Sequence, residues 1–308
     1  MSDVLSSLSS LLLALFVVGY LVLAGADVGL GMLMPRVARG PDQRRRVVAA
    51  IAPYFLATEV WLVALVGVLA GLFPSVEHHV VARLWPVLVA LAAGLLVRDA
   101  GLWLRSRVPG PVWAALWDGA VVAGSWTLAL SWGWVLASLV AGDPGVSLFT
   151  VPCALTVVLL FALRGAAFGA ERLVGESDAE SADVAARDTR PIALAALAGT
   201  LVTAVSAPLS GAGVGAAAVV PAVVLAATLA ATAGLSGPML SRHTSAVAIA
   251  VPGVLVAVVG DLPLAPVPDT TAVLVWSVLA PAIPVMLIGQ VWLYRMTRRP
   301  SRSPSFFA

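Results

Sequence analysis

The chain has 308 residues, of which 60% are hydrophobic and 11% charged, and its mean hydropathy is +1.01. Soluble domains carry about 25% charged residues, so this composition excludes an ordinary soluble globular protein and a disordered one. The net charge of +2 comes from 18 basic residues, all arginine and spread over several loops, which gives no basic face for nucleic acid; the one cysteine, Cys153, excludes a disulfide framework or a cysteine metal cluster within the chain.

No cleavable signal peptide is expected, because MSDVLSSLSS lacks a basic n-region and runs directly into an apolar segment. Nine apolar stretches follow in chain order: 8–35, 48–74, 80–104, 113–141, 148–172, 190–209, 213–238, 244–261 and 270–296. Each is longer than the roughly 9–11 residues of a membrane β-strand and none alternates. In lipid the backbone must satisfy its own polar groups, so these runs predict membrane-spanning helices and an all-α fold. The polar stretch Glu171 to Arg190 reads as a solvated connector, and 301–308 (SRSPSFFA) as a disordered tail. The whole of 1–308 reads as one membrane domain, with halves at 1–173 and 190–300. The sequence holds no P-loop, no strand followed by GxGxxG and no fixed-period repeat.

Arginine placement predicts direction. Arg36, Arg39, Arg44, Arg45 and Arg46 follow the first stretch, Arg105 and Arg107 the third, Arg172, Arg187 and Arg190 the fifth, and Arg242 the seventh. The C-terminal end adds Arg295, Arg298, Arg299 and Arg302. The alternate connections hold Asp143, Asp261 and Asp269 and almost no arginine, Arg83 being the exception. The positive-inside rule then predicts an outside N-terminus, a cytoplasmic C-terminus and an odd number of spans, in a cell membrane.

Charged side chains within a span cost a few kcal/mol or more. Five lie deep in the stretches: Asp27, Glu59, Arg98, Asp99 and Arg164. At ~1.5 Å per residue they lie ~10–16 Å from the arginine-rich ends, all in the cytoplasmic half. Asp118 is nearer that end of the fourth stretch. Two readings stand side by side: a water-accessible polar path from the cytoplasm, or buried ion pairs that pin helices, such as Arg98 with Asp27 or Glu59. Gly25, Gly29 and Gly31 form a small-residue face beside Asp27, which suits either.

The three histidines, His78, His79 and His243, fall at stretch ends. A buried haem needs an axial ligand such as His, Met or Cys, and the deep candidates, Met286 and Cys153, read as core packing. No cofactor is therefore expected in this chain. Trp113, Trp117, Trp292 and Tyr294 read as an interfacial belt, and Trp126, Trp132 and Trp134 as a lipid-facing or partner-facing surface.

The run from Gly25 to Pro35, GADVGLGMLMP, resembles the GFDxGxGMLxP signature of subunit II of cytochrome bd quinol oxidases. An arginine-rich segment (Arg44, Arg45, Arg46) follows it, then Ile51 to Pro53 and the run EVWL from Glu59 to Leu62, similar to the family's NEVWL. Phe73 and Pro74, Arg98 and Arg105 of an RGxxFExR-like segment, Trp117 with Asp118, Gly124 with Ser125, and the basic run from Tyr294 to Arg299 continue the resemblance. It is strong over about 20–140, fair to about 173, and rests on hydropathy beyond 190.

The resemblance implies nine helices in two four-helix bundles plus one peripheral helix. It also implies a haem-free subunit II, paired in a bacterial plasma membrane with a haem-carrying subunit I that holds haem b and haem d. Such a pair oxidises quinol and reduces dioxygen. Asp27 then matches an acid of the family's proton path, with Glu59 as a second path residue. Arg98, Asp99 and Asp118 would serve as counter-charges and Trp61 as a packing residue beside the path. The chain departs from the pattern where the family has WDGN: it has Phe55, Leu56, Ala57 and Thr58, so a usual acid falls on Leu56. The acid of the FExR segment falls on Trp103. Either Glu59 or Asp99 substitutes, or the path is closed and the chain is a non-catalytic scaffold. A secondary transporter using the same acids is a further alternative, although no pair of matching interrupted helices marks inverted repeats.

Overall fold

The computed structural model describes residues 2–174, 179–212, 214–234, 237–265 and 267–296. Among them are nine α-helices and no strand: α1 (Ser2–Val37), α2 (Pro41–Leu72), α3 (Pro74–Leu104), α4 (Pro111–Ala141), α5 (Thr150–Arg172), α6 (Glu180–Leu209), α7 (Val219–Gly234), α8 (Pro238–Val259) and α9 (Asp269–Met296). A single 3₁₀ turn, Ala216–Ala218, leads into α7. All nine, α7 taken together with its leading 3₁₀ turn, are long and apolar enough to cross a membrane. The expected tail at 301–308, with Arg298, Arg299 and Arg302, lies outside the described residues.

Most helices run past the apolar stretches that announce them. α2, α3, α4 and α8 each begin on a proline, whose fixed φ and missing N–H suit a first helical position. Arg44, Arg45 and Arg46 therefore stand in the first turns of α2 and Arg36 in the last turn of α1, not in a loop. Hydropathy marks the lipid boundary, whereas backbone hydrogen bonding continues beyond it. The connector expected over Glu171 to Arg190 is corrected in the same way. Glu171 and Arg172 complete α5, and α6 already begins at Glu180. Glu180 and Asp183 favour that start at the positive end of the helix dipole, and Ser181, Ala182, Ala185 and Asp188 are buried against the neighbouring helices. Its charges dock: Asp188 forms a two-point ion pair with Arg36, and Glu180 accepts from the Gln43 side chain at 3.0 Å.

Helices α1–α4 form one four-helix group and α5–α8 a second, with α1 crossing α5 at the centre and α9 outside, along α2. The α1–α5 crossing is backbone on backbone: a Cβ on Gly29 would lie 1.9 Å from the Phe161 carbonyl oxygen. The buried apolar residues form two clusters. One, with Phe16, Tyr20, Trp61, Leu65 and Leu91, fills the arginine-poor part; the other, with Leu30, Met34, Ile51, Phe55 and Leu102, fills the arginine-rich end. On α2, Thr58 and Glu59 fall between Phe55 and Trp61; on α3, Arg98 and Asp99 fall between Leu91 and Leu102. The polar side chains thus occupy the seam between two apolar cores.

The tryptophans of α4 do not share one outer face. Trp132 is buried and donates from Nε1 to the Tyr20 hydroxyl at 3.1 Å, while Trp134 donates to the Pro144 carbonyl at 3.2 Å. Only Trp126 of the three is exposed, because an indole N–H in the core needs the partner that the other two find.

Candidate functional site

Three helices bring a carboxyl to the seam. Asp27 of α1 is 0% exposed. Its Oδ1 accepts from the Val28 N–H at 2.7 Å, and its Oδ2 lies 3.5 Å from Nη1 of Arg98, with no hydrogen-bond partner among the described residues. Arg98 of α3, 2% exposed, turns its other side to Asp99: Nε donates to Asp99 Oδ1 at 2.9 Å, and Nη2 lies at the same distance. Half-buried Glu59 of α2 places its carboxyl beside that of Asp99. One guanidinium thus touches two carboxyls, with a third beside Asp99, so the cluster has more proton-accepting groups than its single cation balances.

The glycine face beside Asp27 is filled by three different helices. A Cβ at Gly25 would meet Ile249 of α8 at 2.5 Å, at Gly29 the α5 backbone, and at Gly31 the Ser125 hydroxyl of α4 at 2.2 Å. Without side chains there, α1 sits deep enough for Asp27 to be enclosed on all sides. Trp61 packs on the same helix two turns away. Its ring fills the space over Gly19, where a Cβ would lie 2.0 Å from Cζ3, and it meets Phe16 edge-on at 5.7 Å. Tyr20 stands seven residues before Asp27 on the same face, close enough to Arg98 and Asp27 to feel both charges. Its hydroxyl, held by Trp132, and the buried Thr58 hydroxyl, which donates to the Tyr54 carbonyl at 3.0 Å, are the polar neighbours that were not singled out from sequence. The spacing of seven from Asp27 is the signal that points to Tyr20.

Two of the charged candidates lie elsewhere. Asp118 is buried nearer the arginine-rich end, where it takes Nε of Arg105 at 2.5 Å and approaches Nη1 of Arg44 at 3.6 Å. It ties α4 to the end of α3 and the start of α2 and does not join Arg98. Arg164 lies on the other side of α1, donating to the carbonyls of Val22 at 3.2 Å and Arg242 at 3.0 Å. The histidines stand toward opposite ends of the bundle, His78 and His79 in the first turns of α3 and His243 in that of α8.

The cluster opens sideways. Asp99 and Glu59 are partly exposed between α2 and α3. The next residues toward the arginine-rich end on that surface are Leu56, 46% exposed, and Trp103, 37% exposed, whose ring stands edge-on to Phe55 at 6.2 Å. The approach from that end is therefore apolar at the two positions where the resemblance implies acids. Chemically, the Glu59 and Asp99 carboxyls are close enough to share a proton, and Arg98 stands between them and the fully enclosed carboxyl of Asp27.

The sequence profile of the family described as cytochrome bd terminal oxidase subunit II matches residues 5–297. Cytochrome bd-I ubiquinol oxidase subunit 2 of Escherichia coli K12 is 29% identical over 142 residues, which is 46% of this chain and 38% of that one. Cytochrome bd ubiquinol oxidase subunit 2 of Bacillus subtilis 168 is 25% identical over 179 residues, 54% of this chain and 53% of that one. The aligned part thus spans between about a third and a half of these relatives' length. A solved bd oxidase from Geobacillus thermodenitrificans superposes with a TM-score of 0.75 at 15% identity, covering 95% of this chain and 98% of that one, which establishes a shared fold.

Proposed function

This chain belongs to the cytochrome bd terminal oxidase subunit II family, and from that premise we propose that it is the haem-free subunit II of a quinol-oxidising, dioxygen-reducing membrane complex. Its partner is a haem-carrying subunit I with haem b and haem d, and quinol is the substrate of the pair. The complex sits in a bacterial plasma membrane with this chain's N-terminus outside and its C-terminus cytoplasmic, as the arginine distribution favours. The haems supply the redox chemistry in the partner; this chain's residues handle protons.

The observation that carries the reading is the buried constellation of Asp27, Arg98, Asp99 and Glu59. A structural ion pair needs one acid for one arginine, and here there are three acids. Glu59 and Asp99, reachable from the α2–α3 surface, take up a proton. Arg98 holds the surrounding carboxylates in place, and Asp27 is the innermost acceptor. Trp61 and Phe16 keep the arginine-poor side of Asp27 dry. Asp118 serves the arginine-rich end as a structural counter-charge to Arg105 and Arg44.

A specific observation favours a second reading, a scaffold that stabilises its partner without conducting protons: Leu56 and Trp103 cannot titrate, and they flank the approach. Purification of the full chain in mild detergent separates these proposals from a stand-alone transporter. The expected result is a co-purifying second chain, a haem absorption spectrum and quinol-dependent oxygen uptake. A chain that purifies without any haem-bearing partner contradicts both oxidase readings.

A further inference from the structure

Arg83 breaks the arginine pattern, and its surroundings give a reason. It stands on α3 at the arginine-poor end of the bundle and lines a cavity of about 250 Å³ with His79, Ser138, Asp143 and Asp261. The cavity sits where α3, the end of α4 and the segment after α8 meet. Nη1 of Arg83 donates to the Gly142 carbonyl at 3.1 Å, at the left-handed residue that ends α4. The rest of its fork is directed at no acid within the described residues. Asp143 and Asp261 are both exposed there, and neither is in an ion pair among the described residues. Ser138 is 4% exposed, and its Oγ, on the cavity wall, has no hydrogen-bond partner among the described residues. A buried hydroxyl left without a partner costs about 1–3 kcal/mol, and a water or a bound polar group in the cavity can supply one.

The polar cavity does not end there. Val80, Leu139 and Leu262 line both it and a second, apolar cavity of about 420 Å³ that runs down between α2 and α3. Leu65, Leu91 and Val256 form walls of this groove, and exposed Val66 and Val81 form its lips. It opens between α2 and α3, which touch only sparingly along their length. A polar mouth with charges of both signs thus continues into a hydrocarbon-lined slot. That is the form of an amphiphile site.

The charges select the amphiphile. A purely anionic headgroup would meet Asp143 and Asp261, and a purely cationic one would meet Arg83. We propose that this end of the bundle binds one zwitterionic phospholipid with a primary ammonium headgroup, phosphatidylethanolamine in chemistry. Its phosphate lies on Arg83 and His79, its ammonium on Asp143 and Asp261, and one acyl chain lies in the groove between α2 and α3. The ammonium has N–H donors for the two carboxylates and for Ser138, which the quaternary group of a choline lipid lacks. The site is independent of the proton cluster and does not rest on the oxidase reading.

Native mass spectrometry tests it. The full chain, purified in mild detergent together with whatever it assembles with, is exchanged into equal parts of phosphatidylethanolamine, phosphatidylcholine and phosphatidylglycerol. The expected result is preferential retention of phosphatidylethanolamine. Arg83→Gln should weaken that retention by about tenfold, as for one lost charge-assisted contact, and Asp261→Asn should abolish the preference over phosphatidylglycerol. If Arg83→Gln lowers the yield through its lost contact with Gly142, Ser138→Val, which leaves that contact alone, must show reduced retention. No retained lipid in the unaltered protein, equal retention of all three lipids, a quinone in place of the lipid, or unchanged selectivity in the variants overturns the proposal.

Discussion

Gly165 of α5 lies against Gly29 of α1 so closely that a Cβ on Gly165 would stand 2.0 Å from the Gly29 carbonyl carbon. This contact, two residues from Asp27, sets how deeply the acid is enclosed and joins the two four-helix groups. Neither helix can shift there without separating both.

Gly165→Val should therefore lower stability more than any comparable change on the lipid-facing side. Overpacking costs about 1–3 kcal/mol where neighbours can adjust, and here the neighbour is backbone, so the upper end is expected. The midpoint of heat-induced aggregation in detergent should fall clearly for Gly165→Val and stay unchanged for Gly289→Val, a site with open space around the glycine. Equal midpoints would place the joint elsewhere.

Removing Arg98 should be worse than removing Asp27. Arg98→Met leaves Asp27 and Asp99 facing each other without a cation, and breaking a buried pair by losing one partner costs about 3–5 kcal/mol. Folded yield should drop sharply in Arg98→Met, and Asp27→Asn in the same chain should recover part of it. A double variant no better than Arg98→Met would show that the pair is not coupled.

The first turns of α6 should depend on Asp188. Its partner Arg36 is largely exposed, so the ion pair itself is worth at most ~1 kcal/mol. Local docking is what should change: in Asp188→Ala, amide hydrogen exchange over residues 180–190 should speed up while α5 stays protected. Unaltered exchange would mean that the buried Ala182 and Ala185 hold α6 alone.

Leu56 bears on the approach to the cluster. It is exposed on the outer surface of α2 but within the span, so Leu56→Glu should lower the folded yield, and the rate is read per folded complex. If the apolar mouth restricts proton entry, quinol-linked oxygen uptake should rise. An unchanged rate would place the slow step elsewhere.

Much of the site was legible because depth along a span is a simple count from its charged end. Asp27, Glu59, Arg98 and Asp99 share a level, and four charges at one level in lipid have to meet. Arg164 shares that level too, but depth says nothing about azimuth: it points to the α8 side of α1, where carbonyls rather than acids receive it. Asp118 found Arg105 and Arg44 because α2 begins earlier than its apolar run, a fold-back that hydropathy does not register. Trp132 read as surface because it sits among other tryptophans; its place in the core depends on Tyr20 of another helix. The Glu171 to Arg190 segment read as solvated because its charges were counted without their partners on α1 and α2.

In the proposed function Asp27 accepts protons and does more than pair with Arg98. Asp27→Asn keeps the shape and the Val28 contact but removes the titratable group. The measurement is quinol-dependent oxygen uptake by the purified complex, alongside its subunit composition and haem content. The expected result is an intact complex with full haem content and turnover lowered by about 100-fold, the low end for loss of a positioned proton-transfer group. An intact complex with undiminished turnover would contradict it and leave this chain as a scaffold.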